Sequence, residues 1–118
     1  MRAFLDAMER RDLTTALTLI GPNFTMTFPG AVTMTSLDQL VAWSAPRYRF
    51  VRKSFAAFDE AGNVVHCHGT LSGEWIDKTP FNGIRFIDRF ELCNGKIVRQ
   101  DVWNDMAVAN ASLAGAEQ

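Results

Sequence analysis

The second half of the chain carries strand patterns with little interruption, and this feature narrows the possible folds most. Alternating or strand-forming residues occupy residues 48–59, 64–75, 81–92 and 96–104, with only short turn sequences between them. The last of these turns, Asn94-Gly95, is a strong signal for a tight hairpin. Because long strands joined by short turns pair as neighbours, the pattern predicts a strongly curved antiparallel sheet.

The first half of the chain predicts helices that pack on one side of this sheet, which makes the fold class α+β. Asp12 and Ser36 each precede a group of apolar residues at helical spacing, and both residue types are common N-caps. The predicted elements are helices over residues 4–8 and 13–20, a strand over residues 24–28, and a helix that follows Ser36 and ends near Pro46.

Composition is typical of one globular domain, since 47% of the 118 residues are hydrophobic and 21% are charged. We assign this domain to residues 1–106 and expect the Ala-rich residues 107–118 to form a flexible tail. The formal net charge of -1 argues against nucleic acid and anionic membranes as partners, and no segment is long and apolar enough to span a membrane. Two cysteines and no visible signal peptide predict a cytoplasmic location.

Asp88 is the residue that most directly suggests a functional site. In a strand over residues 84–92, Asp88 shares a face with the large apolar residues Ile84, Phe86, Phe90 and Leu92. An ionised carboxylate without a partner is costly to bury, so the group is either hydrogen-bonded structurally or kept for chemistry.

Histidines and cysteines offer weaker candidates. His66 and His68 have the spacing of two metal ligands, but they share the polar face of their strand and no third ligand is evident. We therefore predict no metal site and place both imidazoles on the outside of the sheet. Cys67 lies on the apolar face and is expected to fill the core, whereas Cys93 is expected to be exposed.

A short basic run marks the first long strand. It is interleaved with aromatic residues and consists of Arg47, Arg49, Arg52 and Lys53. Because the run is short and the net charge is slightly negative, a solvated strand edge is a better interpretation than a nucleic-acid site. No dinucleotide-binding glycine motif, phosphate-binding loop or zinc signature is present, so we expect any chemistry to need no cofactor.

The chain resembles the nuclear-transport-factor-2-like (NTF2-like) superfamily, and within it the SnoaL-like branch that includes polyketide cyclases and relatives of ketosteroid isomerase. The resemblance rests on the order of the elements and on the local sequence Ile87-Asp88-Arg89-Phe90, followed by Asn94-Gly95-Lys96-Ile97. It implies a cone-shaped α+β fold with a pocket for a small hydrophobic molecule, and a homodimer. It does not define the activity, because this fold hosts many functions.

The resemblance also implies which catalytic parts are present. Asp88 matches the position at which ketosteroid isomerases carry a protonated aspartic acid, a case that is a standard example of a carboxylic acid kept neutral. The general base of those isomerases corresponds to Phe28, which precedes Pro29, and their helical tyrosine corresponds to Phe4. The histidine of many SnoaL-like enzymes corresponds to Gln100, which cannot relay a proton.

The register of the last strand leaves two alternatives. Gln100 and Asn104 line the site if their face points inward, and Arg99 and Asp101 replace them if the register is opposite. The residues expected to contact a ligand are Phe4, Phe28, Trp43, Phe86, Gln100 and Asn104.

Two functions follow from these observations. The first is a cofactor-independent isomerase, cyclase or dehydratase that acts on a hydrophobic carbonyl-type ligand, with Asp88 as acid or acid-base. The second is a non-catalytic, homodimeric ligand-binding or sensing module, which the missing groups at Phe4, Phe28 and Gln100 favour.

Overall fold

The computed structural model describes residues 2–106 and contains three helices and six strands in this range. The predicted tail over residues 107–118 lies outside the described residues. The elements are α1 (Arg2–Glu9), α2 (Leu13–Leu17), β1 (Ile20–Phe28), β2 (Val32–Met34), α3 (Leu37–Ser44), β3 (Tyr48–Ala61), β4 (Val64–Trp75), β5 (Pro80–Cys93) and β6 (Lys96–Asn104).

The two predicted N-caps are confirmed. The Asp12 carboxylate accepts a hydrogen bond from the Thr15 amide at the start of α2, and the Ser36 hydroxyl accepts one from the Gln39 amide at the start of α3. The prediction that the second helix extends to residue 20 is wrong. The helix ends at Leu17, and Ile20 already belongs to β1, where it pairs with Ile97 of β6.

The six strands form one sheet in the order β2-β1-β6-β5-β4-β3. Strands β3 to β6 follow one another as antiparallel neighbours, as predicted, but β1 runs parallel to β6. This parallel pair corrects the expectation of a purely antiparallel sheet. The sequence pattern also missed β2, which has only three residues and pairs with the end of β1.

Strong curvature of the sheet arises where β3 meets β4. The pairing of these two strands shifts register between Tyr48 and Phe50 and again between Phe55 and Ala57. Two glycines of β4 lie against these irregularities. A Cβ at Gly69 would lie 1.9 Å from the Ser54 carbonyl oxygen, and a Cβ at Gly73 would lie 2.2 Å from that of Phe50. Only glycine permits this close approach of the two backbones.

The concave face of the sheet and the helices enclose the core. Phe4 and Met8 of α1 pack with Phe24 and Met26 of β1 and with Phe90 of β5 in one apolar cluster. No helix among residues 2–106 is long and apolar enough to cross a membrane. The helices on one side of a curved six-stranded sheet confirm the predicted α+β class and the cone-shaped layout.

Candidate functional site

A cavity of about 550 Å³ opens between α1, α3 and the concave face of the sheet. Five of the six residues that sequence reasoning assigned to the ligand site line it: Phe4, Phe28, Trp43, Gln100 and Asn104. Phe86 does not line the cavity, because its ring is buried. The ring centroid lies 5.9 Å from that of Phe55 and 4.9 Å from the Lys53 ammonium.

Aromatic side chains form one continuous wall, which we call the aromatic wall. Its ring centroids are 5.3 Å apart for Phe28 and Trp43, 6.3 Å for Trp43 and Tyr48, and 5.4 Å for Tyr48 and Trp75. Phe81 packs behind the last pair, 4.9 Å from Trp75. Tilted rings at these distances are favourable aromatic pairs, so the wall is a stable surface for a flat apolar molecule.

A buried ion pair borders the cavity. Lys53 of β3 lines the cavity, and its ammonium donates a hydrogen bond to the Asp88 carboxylate of β5. The Lys53 side chain is 24% exposed and Asp88 is fully buried. Of the two alternatives for Asp88, a structural partner is therefore present, because a cation from two strands away reaches the carboxylate.

Lys53 also corrects the interpretation of the basic run. The run was expected to be a solvated edge, and Arg47, Arg49 and Arg52 are exposed, although Arg47 also lines the cavity. Lys53 instead shares the inward face of β3 with Val51 and Phe55. This apolar alternation around a lysine was the sequence signal that could have identified the residue as part of the site.

Asp88 itself has no surface in the cavity. One carboxylate oxygen, Oδ2, pairs with Lys53, while Oδ1 is buried without a hydrogen-bond partner within residues 2–106. Cys67 is directly opposite Asp88 on β4. Burial, together with the negative charge of Asp88, raises the pKa of the Cys67 thiol to about 11. The thiol is thus protonated at neutral pH and is not an activated nucleophile.

The register of β6 is settled by the cavity. Gln100 and Asn104 face it, together with Val102, so the first of the two alternatives holds. Arg99 is exposed on the opposite face and pairs there with Asp101 at 3.0 Å. The Asn104 side-chain oxygen accepts a hydrogen bond from the Met106 amide at 3.1 Å, which fixes its amide near the cavity.

The outer face of the sheet carries the two histidines. His66 pairs in register with Arg89 of β5, and His68 with Ile87. Within residues 2–106 no group of three or more histidine, cysteine, aspartate or glutamate side chains is placed to hold a metal ion. The predicted positions of Cys67 in the core and of Cys93 on the surface are confirmed.

Comparison with known proteins establishes the family. A family model described as the SnoaL-like domain matches residues 1–100, and the chain therefore belongs to the SnoaL-like domain family. No curated protein matches the sequence.

Solved structures of the same fold are similar over almost the whole chain. An NTF2-like protein of unknown function from Burkholderia pseudomallei has a TM-score of 0.81 at 21% identity, covering 92% of this chain and 89% of its own. TerC, co-crystallised with polyporic acid, has a TM-score of 0.82 at 18% identity, with coverage of 92% and 91%. IdmH, a candidate polyketide cyclase from Streptomyces antibioticus, has a TM-score of 0.77 at 17% identity, with coverage of 96% and 94%. The TM-scores show that these proteins share the fold of this chain, whereas the low sequence identities leave its activity open.

Proposed function

We propose that this protein binds a small hydrophobic molecule with a carbonyl-type oxygen in the cavity. The observation that carries the proposal is the combination of a cavity of about 550 Å³, an aromatic wall and a polar pair at its border. Cavities of this size that are mostly apolar and carry a few polar groups are typical ligand sites. The co-crystal of TerC with polyporic acid supports a small organic ligand for this fold.

Each predicted contact residue has a role in this proposal. The rings of Phe28 and Trp43 would stack on a flat ligand, and Phe4 would close the cavity from the side of α1. The amides of Gln100 and Asn104 would orient the polar atoms of the ligand by hydrogen bonds. Phe86 would act indirectly, because its ring lies 4.9 Å from the Lys53 ammonium and supports it.

Binding can be tested with the fluorescent ketone 2-acetylanthracene. A tryptophan in place of Val51, which lines the cavity, should fill the space and abolish binding. Thr70→Trp on the exposed face of β4 is the matched control and should leave the affinity unchanged. Equal binding by Val51→Trp and the unsubstituted protein would place the ligand elsewhere and contradict the proposal.

A cofactor-independent isomerase, cyclase or dehydratase is the second candidate. The observation that favours it is Oδ1 of Asp88, which has no hydrogen-bond partner within residues 2–106 and could carry a proton next to a cavity-lining lysine. The absence of Asp88 from the cavity surface favours the non-catalytic module, so chemistry would have to reach Asp88 through Lys53.

Substitution of Asp88 separates these two functions. With hydrophobic enones as test substrates, Asp88→Asn should lower turnover by about 10²–10⁴-fold if Asp88 is the acid-base group. Asp101→Asn is the control, because it also removes a buried carboxylate, but on the outer face of the sheet. A protein that binds these compounds but turns none of them over would support the binding module.

The outer sheet face is proposed to form a homodimer. Trp103 and Ile87 are cross-strand neighbours and are 53% and 40% exposed, which is unusual for large apolar side chains. Trp103→Glu should convert a dimer into a monomer in sedimentation experiments without loss of the fold.

A cytoplasmic location is also proposed, and the unbridged cysteines Cys67 and Cys93 support a reducing compartment.

A further inference from the structure

The hydrogen bonds of Lys53 leave part of its ammonium unused. An ammonium has three N–H donors, and within residues 2–106 the acceptor for Lys53 is one oxygen of Asp88. The lysine side chain lines the cavity and is 24% exposed, whereas its partner is fully buried. The ion pair is therefore oriented with Lys53 toward the cavity and Asp88 away from it, in the protein interior.

The two arginines that line the cavity are exposed, so water screens their charges, whereas the Lys53 side chain is mostly buried. The Arg11 guanidinium donates to the Met8 carbonyl oxygen at 3.1 Å, and Arg47 donates to the Trp43 carbonyl oxygen. The acidic lining residues are held as well. Asp6 pairs with Arg2, Glu9 accepts from the Lys53 backbone amide at 3.2 Å, and Asp77 accepts from the Thr79 amide at 2.9 Å.

We infer that Lys53 determines the specificity of this cavity, and that the ligand is an organic acid that binds as its anion. The proposal rests on the proposed binding function and deepens it. The apolar body of the ligand lies on the aromatic wall, and its anionic oxygen, a carboxylate or an enolate, accepts a hydrogen bond from Lys53. The Lys53 ammonium attracts a full negative charge more strongly than it attracts the dipole of a neutral carbonyl, so the site prefers the anion over a neutral carbonyl.

Asp88 has a distinct effect in this arrangement. It holds the lysine in place, but its negative charge also repels an anion that shares the same ammonium. Removal of the charge at Asp88 should therefore strengthen anion binding, whereas removal of the charge at Lys53 should weaken it. A pair that only stabilises the fold predicts no such opposition, because either substitution would disturb the cavity in the same direction.

The test uses two fluorescent probes of the same shape, anthracene-2-carboxylate and the neutral anthracene-2-carboxamide, at fixed pH and salt. The unsubstituted protein should bind the carboxylate more tightly than the amide. Asp88→Asn should tighten the carboxylate by a few-fold and leave the amide unchanged. Adding Lys53→Met to Asp88→Asn should weaken the carboxylate by about tenfold or more and the amide by only about two- to threefold, because the amide loses a hydrogen bond but no charge-charge attraction.

The comparison between Asp88→Asn and the double variant avoids a buried unpaired carboxylate, so folding does not obscure it. Equal affinities for the two probes in the unsubstituted protein would overturn the inference and leave the binding function standing. Weaker carboxylate binding in Asp88→Asn would also overturn it. Failure of the unsubstituted protein to bind either probe would overturn both the inference and the proposed function.

Discussion

The two faces of the sheet hold their charges in opposite ways. On the inner face, Lys53 and Asp88 form one pair within an apolar wall, with Asp88 fully buried. On the outer face, Arg89 lies 2.7 Å from Glu91 and 3.7 Å from Asp101, and these side chains are 29%, 31% and 9% exposed. Among residues 2–106, each member of the inner pair has one charged partner, whereas Arg89 and Asp101 on the outer face have two each.

This difference predicts how each face responds to substitution. A buried pair stabilises little as a whole, because desolvation offsets the attraction, but loss of one member leaves an uncompensated charge. An exposed pair loses only a screened interaction, since water replaces the missing partner. The inner pair is thus expected to be costly to break, whereas the exposed Arg85–Asp105 pair of the outer face is expected to be replaceable.

The largest effect is expected for Lys53→Met. It leaves the Asp88 carboxylate buried without a cation and should lower the free energy of unfolding by about 3–5 kcal/mol. Urea denaturation followed by tryptophan fluorescence measures this change. The double variant Lys53→Met/Asp88→Leu should recover most of the loss, since an apolar pair fills the same space. A single variant that loses less than about 1 kcal/mol would contradict the contrast between the faces.

The next effect concerns the curvature that makes the inner face concave. Gly69→Ala would place a Cβ 1.9 Å from the Ser54 carbonyl oxygen, so the backbones of β3 and β4 must move apart. We expect destabilisation of about 3 kcal/mol and weaker binding of 2-acetylanthracene, because Lys53 and Phe55 move with β3. Thr70→Ala, at the next and exposed position, is the control and should change stability by less than about 1 kcal/mol.

The sequence was a good guide to single strands and to pairs joined by short turns, and a poor guide to contacts between strands that are not consecutive. The bounds of β4 and β6 and the burial of Asp88 follow from alternation and turn residues, which act locally. The Lys53–Asp88 pair joins β3 to β5 across β4, so it depends both on the register of β3 with β4 and on the register of β4 with β5. No local pattern contains that information. The clustering of charges in the basic run further obscured the one lysine that faces inward.

The same limit explains the errors in the first half of the chain. The parallel pairing of β1 with β6 joins residues that are far apart in sequence, and β2 is too short for a recognisable alternation. The residues of the site were easier to predict than their chemistry. Phe4, Phe28 and Gln100 line the cavity, whereas Lys53, which lines it too, was not predicted as a site residue.

The pKa of Cys67 reports on the charge of Asp88 at the inner face of the sheet. Its pKa is raised from 9.0 to about 11, first by burial and then by the charge of Asp88. Because the folded-state pKa is the higher one, the thiol's contribution to stability is complete below pH 9 and is lost as the pH rises toward 11. In a Cys93→Ser background, Asp88→Asn should lower the pKa of Cys67, as measured by thiolate absorbance. Arg89→Gln on the outer face should leave it unchanged, and an equal shift in both variants would contradict the separation of the faces.

The smallest effect is expected at the edge of the outer face. Arg85 and Asp105 are 2.8 Å apart, but the arginine is 83% exposed and the aspartate 43%. Arg85→Ala should therefore change the free energy of unfolding by less than about 1 kcal/mol. A double-mutant cycle with Asp105→Ala isolates the interaction from other losses. A coupling energy that approaches the loss in Lys53→Met would mean that burial is not what distinguishes the inner pair. A small coupling energy that vanishes in high salt would instead mean that the Lys53–Asp88 pair, unlike the outer pair, is costly to break. A high cost of this kind is expected of a group kept for a ligand.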